Sequence, residues 1–237
     1  MRPVSYFNYS GNTQRMIQRR RQSLNRPGTA TQQKGLSRLI TILDAARDIF
    51  VEEGYSSLSM RKVASHAKIS IGNLNYYYRT KEDLLRDLID YVITPYLEEF
   101  DRARELAGDA PEKQMKAVLE FWIEDLGTPE TTGFFPECWA LANHNPFVAE
   151  LMDEMYSKAR EALNELIPQI NPSLTRREVE QLALYMCAAM EGLTIFAGHE
   201  KPWHSQLSHL KKLSVNHFMD IARNTQGSKR PNPEPSS

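Results

Sequence analysis

Apolar residues recur every three or four positions through most of the chain, which is the period of an amphipathic helix. In the first such segment they form one stripe, and Gly54 then stops the helix. The stripe consists of Leu36, Leu39, Ile40, Leu43, Ala46 and Phe50. No alternating run bounded by turn residues, typical of a half-buried strand, stands out. The pattern therefore predicts an all-α fold of about nine helices.

Capping residues mark where the next helices begin. Ser59 can cap a second, short helix, and Ser70 can cap a third over about residues 71–77. A capping box at Thr80-x-x-Asp83 opens a fourth helix, which we expect Pro95 to kink or end.

Later helices begin at prolines suited to a first helical turn or at a second capping box, Thr175-x-x-Glu178. These signals are Pro111, Pro129 and Pro146, and they predict long helices over about 146–167, 175–197 and 205–223.

Composition divides the chain into four segments. Residues 1–35 lack apolar periodicity, and residues 224–237 contain three closely spaced prolines, so we expect both to be disordered. Between them, the pattern predicts a small helical domain over residues 36–96 and a larger helical domain over residues 97–223.

The net charge of −1 hides an uneven distribution. Residues 1–35 carry seven of the 29 basic residues and none of the 30 acidic ones. A basic arm on an acidic body favours a polyanionic partner at one end of the molecule. Our hypothesis is that the arm lies along a DNA backbone or in a minor groove and supplies much of the salt-dependent affinity. Otherwise it is a solvated tail, or translation begins at Met16.

Nothing near the N-terminus resembles a signal sequence, because the arginines at 19–21 are followed by polar residues. Twin-arginine export is a minor alternative, and we expect a cytoplasmic protein without a membrane span. Cys138 and Cys187 lie among apolar residues and are most simply buried hydrophobic side chains, a redox pair being the alternative.

The most informative segment is residues 59–78, where two short capped helices flank a turn that contains Lys68. This is the pattern of a helix-turn-helix. The second helix is expected to bury Leu74 and Tyr78 and to present a face of hydrogen-bonding groups without negative charge to DNA. That face consists of Asn73, Asn75, Tyr76 and Tyr77.

From about Leu36 to Tyr96 the chain resembles the DNA-binding domain of the TetR family of bacterial repressors. The resemblance is carried by the whole string of fragments rather than by any one of them. The fragments are Ala45-Ala46-Arg47-Asp48-Ile49-Phe50, Gly54-Tyr55, Ser59-Met60-Arg61-Lys62-Val63-Ala64, Ile69-Ser70-x-Gly72-Asn73-Leu74 and Tyr77-Tyr78-x-Thr80-Lys81-Glu82-Asp83-Leu84-Leu85.

The resemblance implies two groups of DNA-binding residues. Base edges would be contacted from Ser70, Ile71, Gly72 and Asn73, with Arg61 from the supporting helix. Ser59, which caps that helix, is also expected to be a DNA-binding residue. Phosphates would be held by Asn75, Tyr76, Tyr77 and Lys81. The tyrosines at 76–78 can alternatively be plain core aromatics, above all Tyr78.

Three positions depart from the family pattern. Lys68 stands where a glycine is usual, and this turn position tends toward positive φ, so a lysine costs on the order of 1 kcal/mol there. Asn75 stands where tyrosine is usual, and Tyr77 where histidine is common. These departures concern individual phosphate contacts and leave the motif intact.

The resemblance also implies a homodimer and a small-molecule effector. The last two predicted helices would pair with those of a partner, so that two recognition helices contact successive major grooves of a near-palindromic operator. Central aromatic residues are compatible with a pocket for a largely hydrophobic ligand, although ordinary core packing is the simpler explanation for each of them. The pocket candidates are Phe121, Trp122, Phe134, Phe135, Trp139, His144 and Tyr156, with Glu137 and Asn143 as further polar groups.

Enzymatic and metal chemistry have little support in the sequence. His199, His204 and His209 recur every five residues, which on a helix would not bring them together on a metal. No set of acid, base and nucleophile is recognisable, so we expect no cofactor and no catalysis. The favoured function is a ligand-released repressor. The alternatives are a DNA-binding dimer without an inducer, and a helical adaptor or enzyme.

Overall fold

The computed structural model describes residues 33–228, and the first 32 and last nine residues lie outside that range. The described residues form α-helices and two short 3-10 turns, at Tyr55–Ser57 and His204–Gln206, and contain no strand. Residues 33–228 contain nine α-helices: α1 (Gln33–Glu53), α2 (Met60–His66), α3 (Ile71–Tyr77), α4 (Lys81–Leu106), α5 (Pro111–Asp125), α6 (Pro129–Ala142), α7 (Pro146–Ile170), α8 (Arg176–Ala197) and α9 (Leu207–Asn224). The predicted all-α fold is confirmed.

The helices belong to two compact units. Unit 1 contains the described residues as far as Glu99 together with Gly133–Met155. Unit 2 contains Phe100–Thr132 and the described residues from Tyr156 onward.

Unit 1 is built around α1, which buries Leu39, Leu43, Ala46 and Phe50 of its apolar stripe. Phe50, near the end of α1, packs against Phe134 of α6 with ring centroids 5.1 Å apart. At Gly133 a Cβ atom would come within 2.9 Å of the Val51 carbonyl oxygen, so only glycine permits this approach of α6 to α1. Leu74 of α3 and the following Tyr78 are buried in the same core.

Unit 2 buries one face of α5, which packs against α8 and α9. The buried residues of α5 are Met115, Val118, Leu119, Trp122 and Ile123. Those of α8 include Ala183, Met186 and Met190, and those of α9 are Val215, Phe218, Met219 and Ala222. As predicted, Cys138 and Cys187 are both buried free thiols, and burial raises the pKa of Cys187 to about 11.

Several helix boundaries differ from the sequence prediction. The helix α4 runs through the buried Pro95 to Leu106 instead of ending there, because burial of its apolar face outweighs the backbone hydrogen bond that proline removes. Similarly, α7 passes through Pro168 to Ile170. At the N-terminus, α1 begins at Gln33, so residues 33–35 are helical; the rest of the predicted arm lies outside the described residues.

The predicted C-terminal tail is ordered as far as Ser228. The Asn171 side-chain amide donates to the carbonyl oxygens of Arg223 and Thr225, the latter at 2.9 Å. The Ser228 amide donates to Glu178 at 2.7 Å. These hydrogen bonds hold the described part of the tail. Residues 229–237, which contain the three prolines on which the predicted disorder rests, lie outside the described range.

Within the described range, one helix, α8, is long and apolar enough to cross a membrane by length and composition alone. The packed core helix of a soluble protein meets the same criterion, so this is weak support for a membrane protein. Among residues 33–228, no group of three or more His, Cys, Asp or Glu side chains is placed to hold a metal. His199 lies before the 3-10 turn rather than on a helix. Helical geometry therefore does not set its position relative to His204 and His209.

Candidate nucleic-acid interface and effector site

The helix-turn-helix forms as its capping residues predict. The Ser59 hydroxyl accepts a hydrogen bond from the Lys62 amide at 3.3 Å, which starts α2. The Ser70 hydroxyl accepts one from the Asn73 amide at 3.1 Å, which starts α3. Between the helices, the Ile69 amide donates to the Ala64 carbonyl oxygen at 2.9 Å and closes the turn.

The turn requires a left-handed residue, and Lys68 supplies it with φ of 54°. This agrees with the positive φ that the sequence predicts at this turn position. A side chain with a Cβ atom is strained in this region. The lysine side chain itself is exposed.

Recognition helix α3 has one buried side and one exposed side. Leu74 is fully buried and Tyr78 is 2% exposed, whereas Ile71 is 42% and Tyr76 45% exposed. Gly72, Asn73 and Asn75 are also exposed, and none of the residues of α3 is acidic. Tyr77 is half-buried, with its ring 5.3 Å from that of Tyr76. Burial, followed by the neighbouring Tyr76, raises the pKa of the Tyr77 phenol.

Lys81 is held in a structural contact. Its ammonium group donates to the Tyr55 carbonyl oxygen at 3.0 Å and lies 3.6 Å from the centre of the Tyr55 ring. Burial lowers its pKa, which nearby Glu82 partly opposes. The predicted phosphate contact by Lys81 would have to be made from this anchored position.

Several exposed cations of unit 1 remain available to a polyanion. Among them, the side chains of Arg61, Lys68 and Arg79 form no ion pair or hydrogen bond with the part of the chain that the structure describes. By contrast, Lys62 pairs with Glu53, and Arg47 pairs with Asp44 and Asp48. Arg79 is not among the DNA-binding residues predicted from the sequence. Its position directly after the buried Tyr78 predicts an exposed side chain.

The residue after Gly54 is tied to α6. The Glu137 carboxylate accepts a hydrogen bond from the Tyr55 amide at 2.9 Å. A Cβ atom on Gly54, which has φ of 79°, would approach that carboxylate to 3.1 Å. Glu137, suggested above as a polar group of a ligand pocket, is thus engaged with the backbone of unit 1.

The aromatic pocket candidates are divided between the two units. In unit 1, Phe134 packs on Phe50, and Phe135 lies with its ring 6.1 Å from that of Tyr96. Both are buried. Trp139 is half-buried and His144 is exposed. Unit 2 contains Phe121 and Tyr156, both half-buried, and the buried Trp122.

Trp122 leads to a group that sequence reasoning missed. Its indole N–H donates to the Glu191 Oε1 atom at 2.9 Å. Burial raises the pKa of Glu191 to about 7; hydrogen bonds from Trp122 and Tyr156 oppose that rise, and Asp125 adds to it. Burial likewise raises the pKa of Asp125 to about 6, against a hydrogen bond from Thr131. We call Trp122, Asp125, Tyr156, Glu191 and Thr194 the Glu191 cluster.

Two sequence-family models match the chain and together span most of the described range. Bacterial regulatory proteins of the tetR family match residues 42–88, which include the whole helix-turn-helix. The C-terminal part of BetI-type transcriptional repressors matches residues 110–208. The chain belongs to the TetR family of bacterial transcriptional regulators. The predicted family is confirmed.

Curated relatives of this TetR-family regulator are also transcriptional regulators. A regulator from the dhlA 5′ region of Xanthobacter autotrophicus is 30% identical over 134 residues, which cover 56% of this chain and 66% of that protein. BetI from Burkholderia thailandensis is 24% identical over 64% of this chain and 77% of its own length. BetI from Escherichia coli is 22% identical over 71% of this chain and 86% of its own.

Solved structures share the fold of this TetR-family regulator. A TetR-family regulator from Mesorhizobium loti has a TM-score of 0.64 at 16% identity and covers 78% of this chain and 96% of its own. A Bacillus subtilis FadR, solved in complex with stearoyl-CoA, has a TM-score of 0.59 at 17% identity, with coverages of 78% and 97%. At these identities the likeness concerns the fold alone.

Proposed function

We propose that this regulator is a cytoplasmic repressor that binds a near-palindromic operator as a homodimer and is released by a small, largely apolar effector. The observation that carries the DNA part is the exposed, acid-free surface of α3, fixed from behind by Leu74 and Tyr78. Its amide and hydroxyl groups suit base edges and phosphates. The uncompensated Arg61, Lys68 and Arg79 supply positive charge on the same unit.

Exposed apolar side chains on α8 and α9 support dimerisation. Phe196 is 62% exposed, and other large apolar residues of these two helices are nearly as accessible. They are Leu184, Tyr185, Ile195 and Leu213. A soluble monomer seldom leaves so many large apolar groups in water on two neighbouring helices. A partner copy would cover them and place two α3 helices about 34–36 Å apart, one turn of DNA.

Fluorescence anisotropy with DNA from the region upstream of the protein's own gene tests operator binding. We expect sequence-dependent binding that weakens steeply with salt. Sedimentation velocity of Leu184→Glu tests the dimer, with Leu106→Glu, at an exposed leucine outside α8 and α9, as the matched control. A dimer that persists in Leu184→Glu would argue against this interface, and absence of any preference for the upstream DNA would argue against the repressor.

Deleting residues 1–32 tests the basic arm without touching α1. The segment carries six basic residues and no acid, so its loss is expected to flatten the plot of log affinity against log salt. An unchanged slope would leave the arm as a solvated tail.

The effector part of the proposal rests on the aromatic residues of the larger helical region. It is supported by the FadR structure, in which a protein of similar fold is bound to stearoyl-CoA. Thermal stability measured against a metabolite library tests it. If no compound both stabilises the protein and weakens operator binding, a repressor without a small-molecule inducer becomes the better description.

A further inference from the structure

We infer that the Glu191 cluster of unit 2 binds a small primary or secondary amine, whose ammonium group donates hydrogen bonds to the Glu191 carboxylate and the Thr194 hydroxyl. As an effector site, this inference rests on the proposed function. As a binding site, it stands on the contacts within unit 2.

Two buried acceptors in the cluster are unsatisfied. Glu191 Oε1 accepts from Trp122, but the buried Oε2 atom accepts no hydrogen bond from the described residues. Thr194 is fully buried, and its hydroxyl oxygen has no hydrogen-bond partner there either. Residues three apart on a helix share a face, so both groups lie on the same side of α8. Each unsatisfied buried group costs about 1–3 kcal/mol, which a ligand with N–H donors would recover.

The cluster contains acid without base. Asp125 acts on Glu191 as a like charge. No basic side chain is among the groups that shift the pKa of either carboxyl. The nearby Arg160 hydrogen-bonds the thiol of Cys187 instead. Since an uncompensated buried carboxylate is costly, a cation is the ligand charge that this environment favours.

Trp122, whose indole N–H donates to the carboxyl group, belongs to a group of aromatic rings that suits the apolar part of such an amine. Phe100 packs edge-on against Trp122, with ring centroids 5.6 Å apart, and lies 6.4 Å from Phe121. Aromatic faces also attract cations. A quaternary ammonium would gain that attraction but has no N–H for Oε2 and Thr194. The inference therefore ranks ligands: amine first, quaternary analogue second, neutral alcohol last.

Isothermal titration calorimetry on the full-length protein tests this ranking with three probes of one skeleton: 2-phenylethylamine, its trimethylammonium analogue and 2-phenylethanol. We expect the amine to bind at least about 10-fold more tightly than the alcohol, the equivalent of one charge-assisted hydrogen bond. Tryptophan fluorescence should change with the amine, because Trp122 donates to the same carboxylate.

Two substitutions locate the amine. Glu191→Gln keeps the size and an acceptor for Trp122 but removes the charge, and should weaken amine binding about 10-fold or more while leaving the alcohol unaffected. Thr194→Val keeps the shape and should weaken amine binding about 3–10-fold. Glu105→Gln, at an exposed carboxylate of the same unit, is the matched control and should change nothing.

Equal binding of amine and alcohol, unchanged amine binding in Glu191→Gln, or no heat with either 2-phenylethylamine or hexylamine would each overturn the inference. Operator anisotropy in parallel separates it from the proposed function. If an amine binds in a Glu191-dependent way but leaves operator affinity unaltered, the binding site stands and its role in releasing the operator is refuted. A protein that never binds operator refutes the repressor and leaves the titration result standing.

Discussion

Recognition helix α3 and the Glu191 cluster differ in how their residues come together. All parts of the helix-turn-helix, including the serines that cap α2 and α3 and the buried anchors of α3, lie within 20 consecutive residues, 59–78. In the cluster, Trp122 and Glu191 are 69 positions apart and meet only because α5 packs against α8. Local capping and periodicity therefore specify the first site, whereas tertiary packing creates the second.

The two regions also have opposite electrostatics. The exposed surface of α3 has no carboxylate and lies on a unit with free cations, which suits phosphate. The Glu191 cluster buries two carboxyl groups without a basic partner. One region is thus suited to a polyanion outside the fold, and the other to a cation inside it.

The largest predicted effect is the loss of operator binding in Gly72→Glu. A Cβ atom at Gly72 meets nothing closer than the Ser70 hydroxyl at 4.0 Å, so the substitution fits the fold. A carboxylate in the first turn of α3 would repel phosphates, and we expect operator affinity to fall about 100-fold. Fluorescence anisotropy measures the affinity.

Thermal denaturation of the same variant should show equal or greater stability, because an acidic residue in a first turn favours a helix. Gly72→Gln is the size-matched control and should retain most of the affinity. Equal losses in Glu and Gln variants would assign the effect to bulk rather than charge, and no loss in either would remove α3 from the interface.

The N-terminal region was predictable because its signals are local. Ser70 starts α3 and Tyr78 is buried as expected from the sequence. The exposed surface of α3 follows from the 3.6-residue period alone. The DNA contacts of its individual residues, including Lys81 in its contact with Tyr55, stay predictions.

The second-largest effect concerns stability against pH. Because the folded pKa of Glu191 is raised from 4.5 to about 7, its protonated form is favoured in the fold. The stability this group contributes is full below pH 4.5 and is lost as pH rises through 7. That loss amounts to at most about 3 kcal/mol. Glu191→Gln should avoid it, so its Tm should exceed the wild-type Tm at pH 8 by several degrees and by less at pH 5.5.

Asp125, Tyr156 and Trp122 are the groups that act on Glu191, and Asp125 titrates over a lower range, with its pKa raised to about 6. Glu105→Gln should follow the wild-type pH profile, since that side chain is exposed. If Glu191→Gln and the wild type gave parallel plots of Tm against pH, the Glu191 carboxyl would be exposed to solvent and the prediction would be wrong.

What the sequence could not predict depends on contacts between distant segments. Glu137 hydrogen-bonds the Tyr55 amide across 82 positions, and no spacing rule connects them. Pro95 was expected to kink or end a helix, yet burial of Ile93, Tyr96 and Phe100 extends α4 beyond it. In both cases tertiary packing, rather than local sequence preference, determines the structure.

The smallest predicted effect lies at the turn that sets the angle of α3. Lys68 has φ of 54°, a region where glycine avoids the strain of a Cβ atom. Lys68→Gly should raise the free energy of unfolding by about 0.5–1 kcal/mol, part of the relief being offset by the greater freedom of glycine in the unfolded chain. Ser65→Gly, three residues earlier in the right-handed helix α2, should instead lower it by about 1 kcal/mol. Urea denaturation measures both, and two losses of equal size would mean that the left-handed turn carries no strain.

Operator affinity of Lys68→Gly should fall slightly and lose some salt dependence, because the substitution also removes an exposed cation from the DNA-binding unit.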